Sequence, residues 1–72
     1  MSQLILAALI AEANAKETKA VANLQNYMSN AVGIGEHPDV VAECMKLVKD
    51  IAEAREIKET VNNLIEQSNK SE

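Results

Sequence analysis

The chain has 72 residues, which is enough for one small domain. Its 11 acidic and 7 basic residues give a net charge of −4, and this disfavours duplex nucleic acid, which requires a concentrated cationic face. Its single cysteine excludes an internal disulfide, so we expect a reducing compartment. The chain contains one tyrosine and no other aromatic residue, which favours a core of aliphatic side chains on closely packed helices.

The first apolar segment, residues 4–11, reads LILAALIA and resembles the core of a secretory signal. No basic residue precedes Lys16, however, so the positive region of such a signal is missing. The segment is also far shorter than the roughly 20 residues that span a bilayer. We therefore expect no membrane association and a cytoplasmic location.

The first predicted helix covers about residues 2–31, a stretch rich in alanine and without glycine or proline. Ser2 is a suitable N-cap. Apolar residues recur at alternating intervals of three and four along one face, and only Glu17 interrupts them. We expect Glu17 to meet Arg55 or Lys58 of the following helix.

The second predicted helix covers about residues 38–67, after a turn at 32–37 and before a frayed polar tail at 68–72. Pro38 fits the first helical position, and Asp39 complements the positive end of the helix dipole. An apolar stripe runs from Val40 to Ile65. Four residues are expected to flank and widen it: Val41, Val48, Ile57 and Leu64. Pairs four residues apart, such as Glu12–Lys16, Lys46–Asp50 and Lys49–Glu53, are expected on the exposed faces.

The short connection between two long helices predicts an all-α fold, an antiparallel helical hairpin. One hairpin cannot bury two wide apolar stripes, so we expect the hairpins to assemble into a homo-oligomeric helical bundle, as a dimer or a higher oligomer. The residues expected at the oligomer interface are Leu4, Ile5, Leu9, Val48 and Leu64.

The segment GIGEHPD between the helices has two interpretations. As a turn, it uses its glycines to end one helix and reverse the chain. As a site, it offers backbone N–H groups at a helix N-terminus to a small anionic ligand. The candidate ligand-binding residues are Tyr27, Asn30, Gly33, Gly35 and His37.

Metal binding and catalysis have little support in the sequence. His37 and Cys44 lie seven residues apart, about 10 Å along a helix, and no paired-ligand motif is present. Cys44 is expected to be a small buried core residue. We expect no metal, no cofactor and no catalytic residue, and hence a protein that is not an enzyme.

Residues 26–54, NYMSNAVGIGEHPDVVAECMKLVKDIAEA, resemble short uncharacterised proteins of tailed phages that share a GxGEHPD-like corner between two helices. The resemblance implies a phage accessory protein in a bacterial host cell. Such a protein is expected to act by stoichiometric binding, as an antagonist of a host defence protein. The alternatives are a sponge that sequesters a small cyclic nucleotide between protomers and a passive scaffold or assembly protein.

Overall fold

A computed structural model describes residues 2–29 and 39–70. It contains helix α1, Gln3–Ser29, and helix α2, Val40–Lys70. The two helices pack lengthwise as a hairpin, and the Cα atoms span 56 × 16 × 14 Å. The expected all-α helical hairpin is therefore confirmed.

Side-chain caps define where the two helices begin. Ser2 Oγ accepts a hydrogen bond from the Ile5 amide at 3.3 Å, which confirms Ser2 as the N-cap of α1. Asp39 Oδ1 accepts one from the Ala42 amide at 2.9 Å. Asp39 is therefore the N-cap of α2, outside the helix, because a capping residue needs a non-helical backbone.

The far ends of the helices differ from the prediction at one point. Helix α2 continues to Lys70, whereas a frayed tail was expected from residue 68. Ser68 is half-buried and follows Val61 by seven residues, so the last turn remains on the face that contacts α1. The predicted turn at 32–37, with Pro38 and the last residues of the first predicted helix, lies outside the described residues.

Within the part of the chain that the structure describes, the core consists of five apolar side chains, repeated at intervals of seven along each helix. Leu6, Ala13 and Ala20 are buried on α1, and Ala54 and Val61 are buried on α2. A seven-residue repeat keeps one helical face turned toward its neighbour, as in coiled coils. Three of these five residues are alanines, whose small side chains allow the two backbones to lie close together. The predicted inner stripes are thus confirmed, but their fully buried part is narrow.

Cys44 lies beside this core but is half-buried, as are Val40 and Leu47. The expectation of a buried cysteine was therefore too strong. The first turns of α2 are covered less completely than its centre, where Ala54 is fully buried. Neither of the two helices is long and apolar enough to cross a bilayer.

Candidate functional site

Glu17 is the centre of an ion-paired network at one edge of the helix interface. Arg55 Nε donates a hydrogen bond to Glu17 Oε2 at 3.0 Å. Lys58 Nζ lies 2.5 Å from Glu17 Oε1 and donates a hydrogen bond to Asn14 Oδ1 at 2.8 Å. The expected contact of Glu17 with Arg55 or Lys58 is confirmed, and both cations take part.

The surroundings of Glu17 favour its ionised form. The Lys58 ammonium and then the Arg55 guanidinium lower the pKa of Glu17 below its ordinary value of 4.5. Desolvation acts in the opposite direction but is the weaker effect. The Glu17 side chain is 18% exposed, so its charge sits partly within the interface that it interrupts.

The opposite edge of the interface has an ion pair of reversed polarity. There the cation comes from α1 and the anion from α2, because Lys16 pairs with Glu53. The hydrogen bond with Glu53 raises the pKa of Lys16 above 10.5. Lys16 therefore binds across the hairpin instead of binding Glu12 within its own helix.

The other predicted intrahelical pairs also differ in the structure. Lys46 pairs with Glu43, three residues before it, instead of with Asp50. Glu53, the expected partner of Lys49, is bound to Lys16. The spacing rule placed opposite charges within reach of each other, but the contact across the helix pair took precedence at Lys16 and Glu53.

A cleft of about 360 Å³ with a mixed polar and apolar lining lies at the Glu17 edge. Hydroxyl and amide groups line it together with the Glu17–Lys58 ion pair, so it can donate and accept hydrogen bonds. Because Lys58 already contacts the Glu17 carboxylate, the cleft does not present an unmatched positive charge to an anion. Its lining residues are Asn14, Glu17, Thr18, Val21, Ala22, Gln25 and Lys58.

Two shallow apolar grooves, of about 290 and 460 Å³, lie at the Lys16 edge, and both are lined by Leu9 and Ile57. Their walls include three carboxylates, Glu12, Glu53 and Glu56. The only cation in the linings is Lys16, which pairs with Glu53. These grooves therefore combine an apolar lining with mainly acidic charge.

Most of the predicted interface residues present large apolar side chains to solvent. Leu4 is 81% exposed, Ile5 63%, Leu9 43% and Val48 47%. Leu64 is half-buried in the hairpin itself. Three further exposed apolar residues were missed as interface candidates: Met28, Val41 and Met45.

Val41 and Val48 do not widen the inner stripe of α2, as their sequence pattern suggested. Both are exposed, and so are Met45 and Ala52. Positions 41, 45, 48 and 52 are separated by intervals of four, three and four residues, which is the spacing of a second helical face. We call Val41, Met45, Val48 and Ala52 the outer face of α2. This spacing was the signal that could have identified them.

Of the predicted ligand-binding residues, the structure places only Tyr27. It is half-buried and follows Ala20 by seven residues, on the inner face of α1. Asn30, Gly33, Gly35 and His37 lie outside the described residues. Within residues 2–29 and 39–70, no group of three or more potential metal ligands is present.

Comparison of the chain with protein-family models, with curated proteins and with solved structures gave no match.

Proposed function

We propose that this protein is a non-enzymatic helical hairpin that self-associates and acts by stoichiometric binding to another protein. The imbalance between its core and its surface supports the proposal. Among residues 2–29 and 39–70, the hairpin buries five apolar side chains, and three of them are alanines. In the same two ranges, seven large apolar side chains are 43–81% exposed. A chain this small gains stability when association covers such residues.

The exposed apolar residues lie in two regions at opposite ends of the rod. Leu4, Ile5 and Leu9 occupy the first turns of α1, and the outer face of α2 lies near the start of that helix. Two separate surfaces allow one to bind a second copy while the other binds a different protein. We propose the outer face of α2 as the surface for that other protein.

Residues 26–54 resemble short tailed-phage proteins, and we therefore propose a bacterial host protein as the partner. Binding would antagonise that partner, which we propose to be a host defence protein. This step rests on the resemblance alone. Sequestration of a small nucleotide has no comparable observation behind it, since Tyr27 is the one member of its predicted site within the described residues. A passive scaffold would share the self-association but would have no second partner.

Sedimentation velocity over a hundredfold range of concentration tests self-association. We expect a dimer or a higher oligomer that dissociates in the variant L4E/I5E, because burying either carboxylate in an apolar contact is unfavourable. The matched control, V41E/M45E, places the same charges on the outer face of α2 and should leave the oligomer intact. A wild-type chain that remains monomeric throughout would refute the proposal of self-association.

Binding to another protein requires a separate measurement. The wild-type oligomer and V41E/M45E are immobilised on matched columns and exposed to a bacterial lysate. We expect one protein to be retained in fixed molar ratio by the wild type and lost by V41E/M45E. Equal retention by both would refute the assignment of this surface, and a defined oligomer that retains nothing would favour the scaffold.

A further inference from the structure

We propose that the face of α1 turned away from α2 binds the same face of a second copy in antiparallel orientation. This inference rests on the proposed self-association and specifies its surface and geometry. We call this surface the outer face of α1. Its six positions are Leu4, Ala8, Ala11, Ala15, Thr18 and Ala22, and all of them are exposed.

The outer face of α1 has the spacing of a helix-pairing surface. Its positions are separated by intervals of 4, 3, 4, 3 and 4 residues, which is the apolar pattern of coiled coils. Leu4, Ala11 and Thr18 each precede a core residue by two positions, about 200° of helix rotation, so this face is directed away from α2. Leu4 is 81% exposed, more than any other large apolar side chain that the structure describes.

The charged residues of α1 indicate that a second copy covers this face. Of the four, Lys16 and Glu17 form ion pairs with α2. Glu12 and Lys19 have no ion-pair partner among residues 2–29 and 39–70. Each directly follows an outer-face residue, so both lie on the same flank of that face, about 10.5 Å apart along the helix.

An antiparallel arrangement of two copies makes this flank complementary to itself. Equivalent flanks meet when two helices pair antiparallel, so Glu12 can contact Lys19 of the partner subunit, and the two-fold axis repeats the contact. The same register places Ala11 beside Ala22 of the partner subunit, and Ala15 beside Thr18 of the partner subunit. In a parallel pair, the flank with Glu12 and Lys19 would instead meet the opposite flank of the second copy. That flank consists of uncharged residues: Ala7, Asn14 and Val21.

Other features of the face agree with a close helix pair. Four of its six positions are alanine, and its one large apolar side chain, Leu4, lies at one end. Alanines allow the two helix backbones to approach, as they do within the hairpin at Ala13 and Ala20. The apolar contact supplies affinity, while the two charge pairs select the orientation.

Charge reversal tests the geometry. The dimer dissociation constant is measured by sedimentation at low salt for E12K, for K19E and for the double variant E12K/K19E. Each single reversal turns two attractive contacts into two repulsive ones, and we expect it to weaken the dimer about tenfold. The double variant restores both pairs with exchanged signs and should return to within about twofold of the wild type.

E59K is the matched control, because it places a new lysine four residues from Arg55, as E12K does from Lys16. It should leave the dissociation constant unchanged, and circular dichroism should show equal helicity in all variants. Single reversals without effect, or a double variant that is not restored, would overturn the antiparallel α1 interface. A monomeric wild type would instead overturn the proposed self-association, so the two failures are distinguishable.

Discussion

Glu17 and Lys58 face each other across the helix pair, with carboxylate Oε1 2.5 Å from ammonium Nζ, on the edge opposite the Lys16–Glu53 pair. The adjacent residues Lys16 and Glu17 thus form ion pairs with α2 at the two edges of the hairpin. Helix α1 supplies the cation at one edge and the anion at the other. In a parallel pairing of the same inner faces, the flank with Lys16 would meet the flank with Lys58. The charges therefore favour the antiparallel arrangement that the short connection already requires.

Loss of the Glu17 charge should destabilise the hairpin. We expect E17Q to lower the midpoint of thermal unfolding by a few degrees, because Arg55 and Lys58 lose the carboxylate between them. E12Q is the matched control, since Glu12 has no ion-pair partner within the described residues. Thermal unfolding followed by circular dichroism at low protein concentration measures both. Equal midpoints for the two variants would contradict this role of Glu17.

Acid should remove the same contribution. The pKa of Glu17 is lower in the folded chain than its ordinary value of 4.5, so its ionisation stabilises the fold above that pH. This stabilisation declines as the pH falls below 4.5 and through the lowered pKa. Urea unfolding between pH 6 and about pH 2 should therefore show a shallower acid decline for E17Q than for the wild type. Parallel declines would show that other carboxylates dominate.

At alkaline pH the Lys16–Glu53 pair should show the opposite dependence. The pKa of Lys16 is raised above 10.5 in the folded chain, so its charge stabilises the fold fully below 10.5. The contribution is lost as the pH rises through the raised pKa. In urea unfolding, K16M should abolish this decrease in the free energy of unfolding at alkaline pH. K49M is the control, because Lys49 is exposed on α2, and it should retain the decrease.

Ala54 should tolerate no larger side chain. It is fully buried against α1, and A54L should cost about 1–3 kcal/mol by forcing the helices apart. A52L is the matched control, because Ala52 is exposed on the same helix and the substitution changes helix propensity equally. Urea unfolding at low protein concentration gives both free energies. An unchanged stability in A54L would show that the helices are not closely packed there.

The N-cap of α2, Asp39, can also be tested by comparing the unfolding free energies of two variants. D39A removes the acceptor for the Ala42 amide and should cost about 0.5–2 kcal/mol. D39N retains an oxygen acceptor at the same place and should recover most of the loss. If D39N is as destabilised as D39A, the negative charge at the helix N-terminus matters more than the hydrogen bond.

Local patterns in the sequence determined the two helices, the Ser2 cap and the inner face of each helix. Helix propensity and a period of 3.5–3.6 residues act within a few turns, so they can be read without knowing the fold. The contact of Glu17 with the basic residues of α2 was also predictable, since a charge on an inner stripe requires a partner opposite it.

Only the tertiary structure decided which apolar residues are left outside. Val41 and Val48 looked like the margin of the inner stripe, but both are exposed, because they lie about 120–140° around the helix from the buried Ala54. The sequence offered Lys16 a partner within its own helix, Glu12, and the packing of α1 on α2 selected Glu53 instead. A sequence states which charges and apolar groups are available, whereas the distance between two helices decides which of them meet.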